Sequence, residues 1–360
     1  MFRCPSWVED ALWRAAPSVD RGALVDAIVA RSRAYTSERD RIGVLSGAAD
    51  LAARAVFFAV ADAAKIMLPL AELHSRGALP ETRPLRVLDA GAGTGAMTLG
   101  LAAHTRAPLD VVAIDRDRAA LDVFRAAFES VADSRLSIVN AGLDEPRWGG
   151  GRFDLAVAGT VFNEVLESEH VALARDLLDA LAPGGALVIV EPALRDTARA
   201  LHRLRDALID AGDAHVFAPC VRGGTPCPML ADERDWCHED RPTQLPPRAA
   251  ALAAATGLRD AGLKFSYLVL RREPGAVRDP AGDGRRVMRV VSHPSKQKGK
   301  IELYGCGDTG RAKLRLLRRN RSEANRPFER AARGDVLTLG DADEIAEADR
   351  VDGWRAPPSP

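Results

Sequence analysis

The sequence predicts an α/β protein: a mostly parallel, doubly wound sheet with an N-terminal helical region before it and a β-rich basic extension after it. Three observations carry that prediction. Between residues 85 and 192, short apolar runs alternate with amphipathic helical stretches, the pattern of a parallel sheet with crossover helices. A glycine-rich turn, "DAGAGTG", stands between the first run and the first stretch. The last third of the chain turns to strand-like runs dense in Lys and Arg.

Residues 1 to about 79 read as helical, with Val56, Val60, Ala63, Met67 and Leu70 recurring at helical spacing until Gly77 and Pro80 stop the pattern. "LRVLDAG", "LDVVAID", "LSIVNAG", "FDLAVAGT" and "ALVIVEP" are five buried strands. Helices "AMTLGLAAH", "RAALDVFRAAFESV" and "VALARDLLDALAPGG" separate them, and "LRDTARALHRLRDALIDAG" follows with Leu194, Ala198, Leu201 and Leu208 on one stripe. After a cysteine-bearing loop come a short Ala-rich helix and the runs "KFSYLVLRR", "RRVMRVVS", "KIELYG" and "AKLRLLRR". The expected organisation is a helical region over 1–80, a core domain over 81–275 with the cysteine loop at 218–240, and a basic extension over 276–338. An acidic, Pro-ended tail over 339–360 reads as disordered.

With 360 residues, 47% apolar and 28% charged, the chain has ordinary globular composition. No apolar run approaches the roughly 20 residues of a membrane span. The start, "MFRCPSWVEDALWR", lacks the basic and apolar regions of a secretory signal. The expectation is a cytoplasmic protein, where clustered thiols mean metal or redox chemistry more often than disulfides. Net charge is zero, yet Arg285 to Arg333 holds fifteen Lys/Arg against four Asp/Glu. Such asymmetry reads as a polyanion footprint, with a solvated β face as the plain alternative. Nucleic acid is favoured, because so many cations with so few counterions repel one another unless a partner neutralises them.

In "VLDAGAGTGAM", Asp89, Gly91, Gly93 and Gly95 lie between a strand and a helix. The glycines allow a tight turn and close approach of a ligand. A dinucleotide site is the obvious rival, but its third glycine follows the second by three residues and here by two. An acidic residue ahead of the first glycine also suits a cationic amino-acid ligand better than a pyrophosphate. The turn resembles motif I of class I S-adenosylmethionine-dependent methyltransferases. That resemblance implies that the turn accommodates the methionine part of the cofactor, that Asp115 in "VVAIDRD" binds the ribose hydroxyls, and that Asn140 in "NAGLDE" flanks the adenine.

The methyl acceptor is read at the end of the fourth strand, "FDLAVAGTVFNEV". The Asn/Asp-Pro-Pro-aromatic signature of exocyclic-amine methylation is absent there, and so is a Pro-Cys nucleophile for pyrimidine carbon 5. Asn163 and Glu164 are the polar pair in the right place. They line an acceptor pocket, or Asn163 caps the next helix.

Cys220, Cys227 and Cys237 fall within eighteen positions, and Cys306 lies in the basic region. Structural zinc sites usually carry a tight Cys-x₂₋₄-Cys knuckle, which is missing. Wide spacing among Pro and Gly suits a four-cysteine iron–sulfur cluster. Scattered free thiols, or zinc with His238 as fourth ligand, are the alternatives. Cys4 stands alone.

Taken together, "VLDAGAGTG", "FNEV", "LAPGGALVIVEPA", "APC…PCPML…DWCH", "FSYLVL" and the basic segment with "YGC" and "RGD" resemble one family. These are the methyltransferase-like assembly factors of the small ribosomal subunit, known in mitochondria as methyltransferase-like protein seventeen, with bacterial relatives. The resemblance runs to about residue 337. It implies a [4Fe–4S] cluster held by Cys220, Cys227, Cys237 and Cys306, and binding to small-subunit rRNA. The expected function is a monomeric, SAM-binding, rRNA-binding factor of ribosome assembly that acts away from membranes, with or without rRNA methylation. A catalytically inactive methyltransferase-fold scaffold is the second reading, and a small-molecule methyltransferase with a zinc or redox loop the third.

Overall fold

The computed structural model describes residues 2–38, 43, 45–80, 83–144, 148, 152–258, 262–275, 279 and 281–356. Its principal sheet contains β1 (Leu85–Ala90), β2 (Leu109–Asp115), β3 (Arg135–Asn140), β4 (Phe153–Gly159), β5 (Leu181–Pro192), β6 (His215–Ala218) and β7 (Leu263–Arg271). Their spatial order is 3-2-1-4-5-7-6. Strands β3, β2, β1, β4 and β5 pair in parallel, whereas β7 runs antiparallel to both β5 and β6. The apolar runs are explained by cover on both faces: Val87, Leu88 and Ala90 of β1 are all buried. Strand order reverses beside β1, which is where a doubly wound sheet opens its ligand crevice.

β6 has no counterpart in the sequence reading. The four residues His215–Ala218 are too few for a period-2 signal, and pairing with β7 makes them a strand. β5 also starts earlier than its apolar run, at Leu181, because Phe153 of β4 pairs there before the register shifts.

The N-terminal helices α1 (Ser6–Ala15), α2 (Arg21–Thr36) and a continuous helical run over 48–74, α3, cover one face of this sheet. Ala53, Phe57 and Leu70 of α3 share one apolar cluster with Val87 of β1 and Phe265 of β7. α3 changes winding along its length, with a π segment at Arg54–Ala59 and a 3-10 segment at Ala63–Ile66. Such π segments recur at functional sites. The crossover helices are α4 (Ala96–His104), α5 (Arg118–Phe128), α6 (His170–Asp179) and α7 (Arg195–Asp210). α5 shows why they form: Asp117 caps it by accepting from Ala120 N at 3.1 Å, and Leu121, Phe124 and Phe128 make its buried stripe.

A second sheet is built from β8 (Arg286–Val290), β9 (Lys300–Gly307), β10 (Gly310–Leu317) and β11 (Val336–Leu339), around Met288, Leu303, Leu314, Phe328 and Leu337. The expectation of a disordered tail over 339–360 is corrected here for 339–356; residues 357–360 lie outside those described. Glu344–Ile345 pairs in parallel with β10, and Asp352–Trp354 pairs with β11. Ile345 and Val351 are buried in the sheet's core. The acidic residues that read as disorder are counterions: Asp343 meets Arg286 at 2.8 Å, Glu344 meets Arg315 at 2.6 Å, and Asp352 pairs with Arg285. The expected boundary at 275/276 abuts residues outside those described.

Candidate cofactor cavity and cysteine cluster

A cavity of about 1140 Å³ opens at the carboxyl ends of β1, β2, β4 and β5. Asp89, Gly91, Gly93, Asp115, Asn163 and Glu164 all line it. The three glycines have different reasons to be glycine. A Cβ on Gly91 would stand 2.5 Å from Val161 Cγ2, and one on Gly95 would stand 2.2 Å from the Phe124 ring. Those two serve packing. Gly93, at φ +52°, has only Asp115 Oδ2 within 4 Å, so its missing side chain leaves room in the cavity itself.

Asp115 Oδ2 accepts from Gly93 N at 2.8 Å, and its Oδ1 accepts from Asp117 N at 2.8 Å. The carboxylate therefore ties the end of β2 to the glycine turn. Asp89 lies under the turn and accepts from Thr98 Oγ1 at 2.5 Å. Burial pushes its carboxyl up to about 7. Asn140 stands at the end of β3, where its Nδ2 donates to Asp115 O at 2.9 Å and Arg116 O at 3.0 Å. It braces the loop that carries Asp115.

At the end of β4, Thr160 has φ +59°, a left-handed conformation that a β-branched residue rarely adopts. The turn is held by Glu191, a residue the sequence reading passed over. Glu191 Oε1 accepts from Val161 N at 3.0 Å and from Phe162 N at 2.9 Å. The Asn163 amide, oriented by its surroundings, donates to Glu191 Oε2 at 3.2 Å and Thr160 O at 2.7 Å. Asn163 thus lines the cavity without capping a helix; the next helical turn begins at Glu167. Burial pushes Glu191 up to about 8 in spite of its backbone donors. Burial also raises the Glu164 carboxyl, while Arg116 nearby works the other way. Arg31 and Tyr35 of α2 with Arg54 and Phe58 of the π segment form the opposite wall. Arg54 Nη2 reaches Asp117 Oδ2 at 2.6 Å, fastening α3 to the loop after β2.

Cys220, Cys227, Cys237 and Cys306 line one smaller cavity of about 50 Å³, with His202, Arg205 and His238 in its wall. The three loop cysteines and the β9 cysteine are thereby brought together from 69 residues' separation or more. Among the described residues no three His, Cys, Asp or Glu side chains converge as around a single metal ion. Burial pushes the Cys227 thiol up to about 11 and the Cys306 thiol up to about 12, with the other cysteines adding to it; Cys237 is raised for the same reasons.

α7 positions the loop through polar groups on the face beside its apolar stripe. Arg199 Nη1 donates to Met229 O, Asp232 O and Asp235 O at 3.0, 2.8 and 2.9 Å. His202 Nε2 accepts from Cys237 N at 3.0 Å, and burial pushes this ring down to about 4, so it is neutral. Asp206 Oδ2 accepts from Cys227 N at 2.7 Å. His238 stacks on Trp236, and its Nδ1 has no hydrogen-bond partner among the described residues. The donor set suits a thiolate-bound cluster: four sulfurs around one buried space, with the loop's backbone already held from α7.

The sheet order, the glycine turn at its switch point and the carboxylate ending β2 define a class I methyltransferase fold. A family model described as "Mitochondrial small ribosomal subunit Rsm22" matches residues 51–338, and the chain belongs to that family. No curated protein matches the chain. Among solved structures, it is similar to the magnesium protoporphyrin IX methyltransferase ChlM from Synechocystis PCC 6803 with bound SAM, at 16% identity over 71% of this chain and 99% of that one, TM-score 0.36. It is also similar to a methyltransferase from Pyrococcus furiosus at 16% identity over 57% and 82%, TM-score 0.35. The plantazolicin methyltransferase BpumL with SAH shares 11% identity over 70% and 97%, TM-score 0.39.

Proposed function

We propose that this chain is a SAM-binding, iron–sulfur-containing factor that binds small-subunit rRNA during ribosome assembly. The observation that carries the cofactor half is the open position at Gly93, inside a cavity closed by Asp89 and Asp115. In this reading the turn takes the methionine portion and Asp115 the ribose hydroxyls. Asn140 acts by holding the Asp115 loop as well as by flanking the adenine. Bound SAM would supply an electrophilic methyl group. Glu164, which lines the cavity at the end of β4, is the group suited to receive a proton from the acceptor.

For the thiol cavity, Cys220, Cys227, Cys237 and Cys306 would hold a [4Fe–4S] cluster. The cluster would cross-link the loop after β6 to β9 and so fasten the second sheet to the methyltransferase core. The basic region over 285–333 serves as the rRNA-binding module, and the chain acts as a monomer in the cytoplasm. The family description names the mitochondrial small subunit, and the ribosomal role proposed here rests on it.

A second reading is favoured by one observation: the Asn163 amide is occupied within the Thr160–Glu191 turn. That leaves Glu164 as the remaining member of the expected acceptor pair and suits a catalytically inactive methyltransferase-fold scaffold. Calorimetric titration with SAM tests the first half of the proposal, and its failure would leave the scaffold. Iron and acid-labile sulfide analysis of protein purified without oxygen tests the second. About four of each per chain supports the cluster; one zinc without sulfide, with His238 as a ligand, replaces it.

A further inference from the structure

We infer that the phosphate-binding surface is one end of the second sheet, formed by Lys296, Lys298, Arg318 and Arg319, and not the basic extension as a whole. The inference rests on the rRNA reading above and narrows it. Nine of the fifteen cations between Arg285 and Arg333 already face carboxylates. Arg285, Arg286 and Arg315 are held by Asp352, Asp343 and Glu344 of the acidic tail. Lys300 and Lys313 share Glu302, at 3.0 and 3.2 Å. Arg311 meets Asp235 of the cysteine loop at 2.6 Å, and Arg289 meets Glu72 at 2.5 Å. Arg321 and Arg326 pair with Glu329 and Glu323. Arg333 donates to His238 O at 2.7 Å.

Lys296, Lys298, Arg318 and Arg319 have no ion pair or side-chain hydrogen bond among the described residues, and all four are exposed. The fold also brings them together. Lys296 opposes Ile301 in the hairpin of Ser295–Gln297 with β9, and Lys298 sits at its turn. Arg318 N donates to Gly299 O at 2.7 Å, which sets the end of β10 against that turn, and Arg319 follows. Arg330 is also without an ion pair among the described residues, but it lies on the separate helical segment Arg326–Arg330.

The physical distinction is counterion release. A cation already matched by a protein carboxylate must lose that partner before it meets a phosphate, and little is gained. An unmatched cation displaces a counterion from RNA and contributes its full share to the salt dependence. An anionic bilayer is the less suitable partner. The exposed large apolar side chains among the described residues are Trp13, Leu166 and Tyr304, and none belongs to this edge. There is thus no apolar group to enter the interface.

The test uses the full chain purified without oxygen and a fluorescein-labelled single-stranded oligouridylate, titrated between about 0.05 and 0.2 M salt. Four phosphate contacts on single-stranded RNA give a log–log slope of about −3. Each single substitution to Gln among the four should lower that slope by about 0.7. K296Q/K298Q/R318Q/R319Q should flatten it and weaken binding more than about tenfold, with an unchanged melting temperature because all four are exposed. R311Q/K313Q/R315Q should keep the wild-type slope. A quadruple variant that keeps the slope overturns the inference while leaving the rRNA reading intact. A flat salt response in the wild type overturns the rRNA reading itself. Loss of binding to phosphatidylserine vesicles, with oligouridylate binding retained, would reassign the edge to a membrane and also overturn it.

Discussion

Arg289 and Glu72 form a buried ion pair, Nη2 to Oε1 at 2.5 Å, between the second sheet and the long N-terminal helix. The same guanidinium donates to Pro219 O at 2.8 Å in the cysteine loop and to Gly334 O at 2.5 Å. Arg289 also lies opposite Cys306 in the β8–β9 pairing. One side chain therefore joins three parts of the chain at the thiol cavity. Breaking such a pair on one side strands a buried charge and costs about 3–5 kcal/mol. Glu72→Ala should lose that much in urea denaturation, and Glu72→Ala with Arg289→Met should recover a large part. Equal losses in the single and double variants would mean that the guanidinium is held by its carbonyl partners alone.

The glycine turn separates positions fixed by packing from one that faces open space. Gly95→Ala pushes a Cβ into the Phe124 ring and should lower the melting temperature sharply. Gly93→Val meets open space, so its stability cost should stay near the roughly 1–2 kcal/mol of a left-handed backbone. Its SAM affinity should nevertheless fall at least about tenfold (about 1.4 kcal/mol). Wild-type affinity in folded Gly93→Val would remove the turn from the cofactor site.

Metal content should follow the four thiols that share a cavity and not the fifth. Cys227→Ser and Cys306→Ser should each lower iron and sulfide content. Cys4, buried at the N-terminus, should be replaceable by Ser without effect on either. Hydrogen exchange should show β8 to β11 losing protection when iron is removed, since metal-binding free energy is folding free energy for the linked segment. Unchanged protection would make the cluster a passenger of the fold.

Glu191 and Asp89 give stability a defined pH dependence. Each folded-state pKa, about 8 and about 7, lies above that of an exposed carboxyl. The folded chain then holds more protons than the unfolded one between about pH 4.5 and 8. Their contribution is fully present below that window and is lost as pH rises through it. Thermal melts from pH 5 to 9 should show declining stability, and Glu191→Gln, which keeps the Oε1 acceptor, should flatten the decline. An identical slope in Glu191→Gln would place the titration elsewhere.

Much of the principal sheet was legible because both-face burial writes itself as unbroken apolar runs, as in "LRVLDA" and "FDLAVAG". Asp89, Gly91, Gly93 and Asp115, which all line the cavity, stood out because a tight strand-to-helix turn restricts residue type locally. Glu191 was not, since its role is to accept hydrogen bonds from a turn 29 and 30 residues away, and nothing in "VIVEPA" marks it. Arg199, His202 and Asp206 were hidden similarly, reading as the solvent face of an amphipathic helix while holding the cysteine loop.

The sequence by itself determined the layered α/β plan and the glycine turn with its carboxylates; that four of the cysteines line one cavity was decided by the fold. The plan and the turn follow from local periodicity and from residue types with few substitutes. Tertiary structure alone decided how charge is distributed over the basic extension. Formal charge sums every Lys and Arg alike, whereas folding brings Asp343, Glu344 and Asp352 from the acidic tail onto the basic strands and leaves Lys296, Lys298, Arg318 and Arg319 unmatched among the described residues. Coulomb pairing depends on distance in space and not along the chain, so it cannot be counted before the chain has folded.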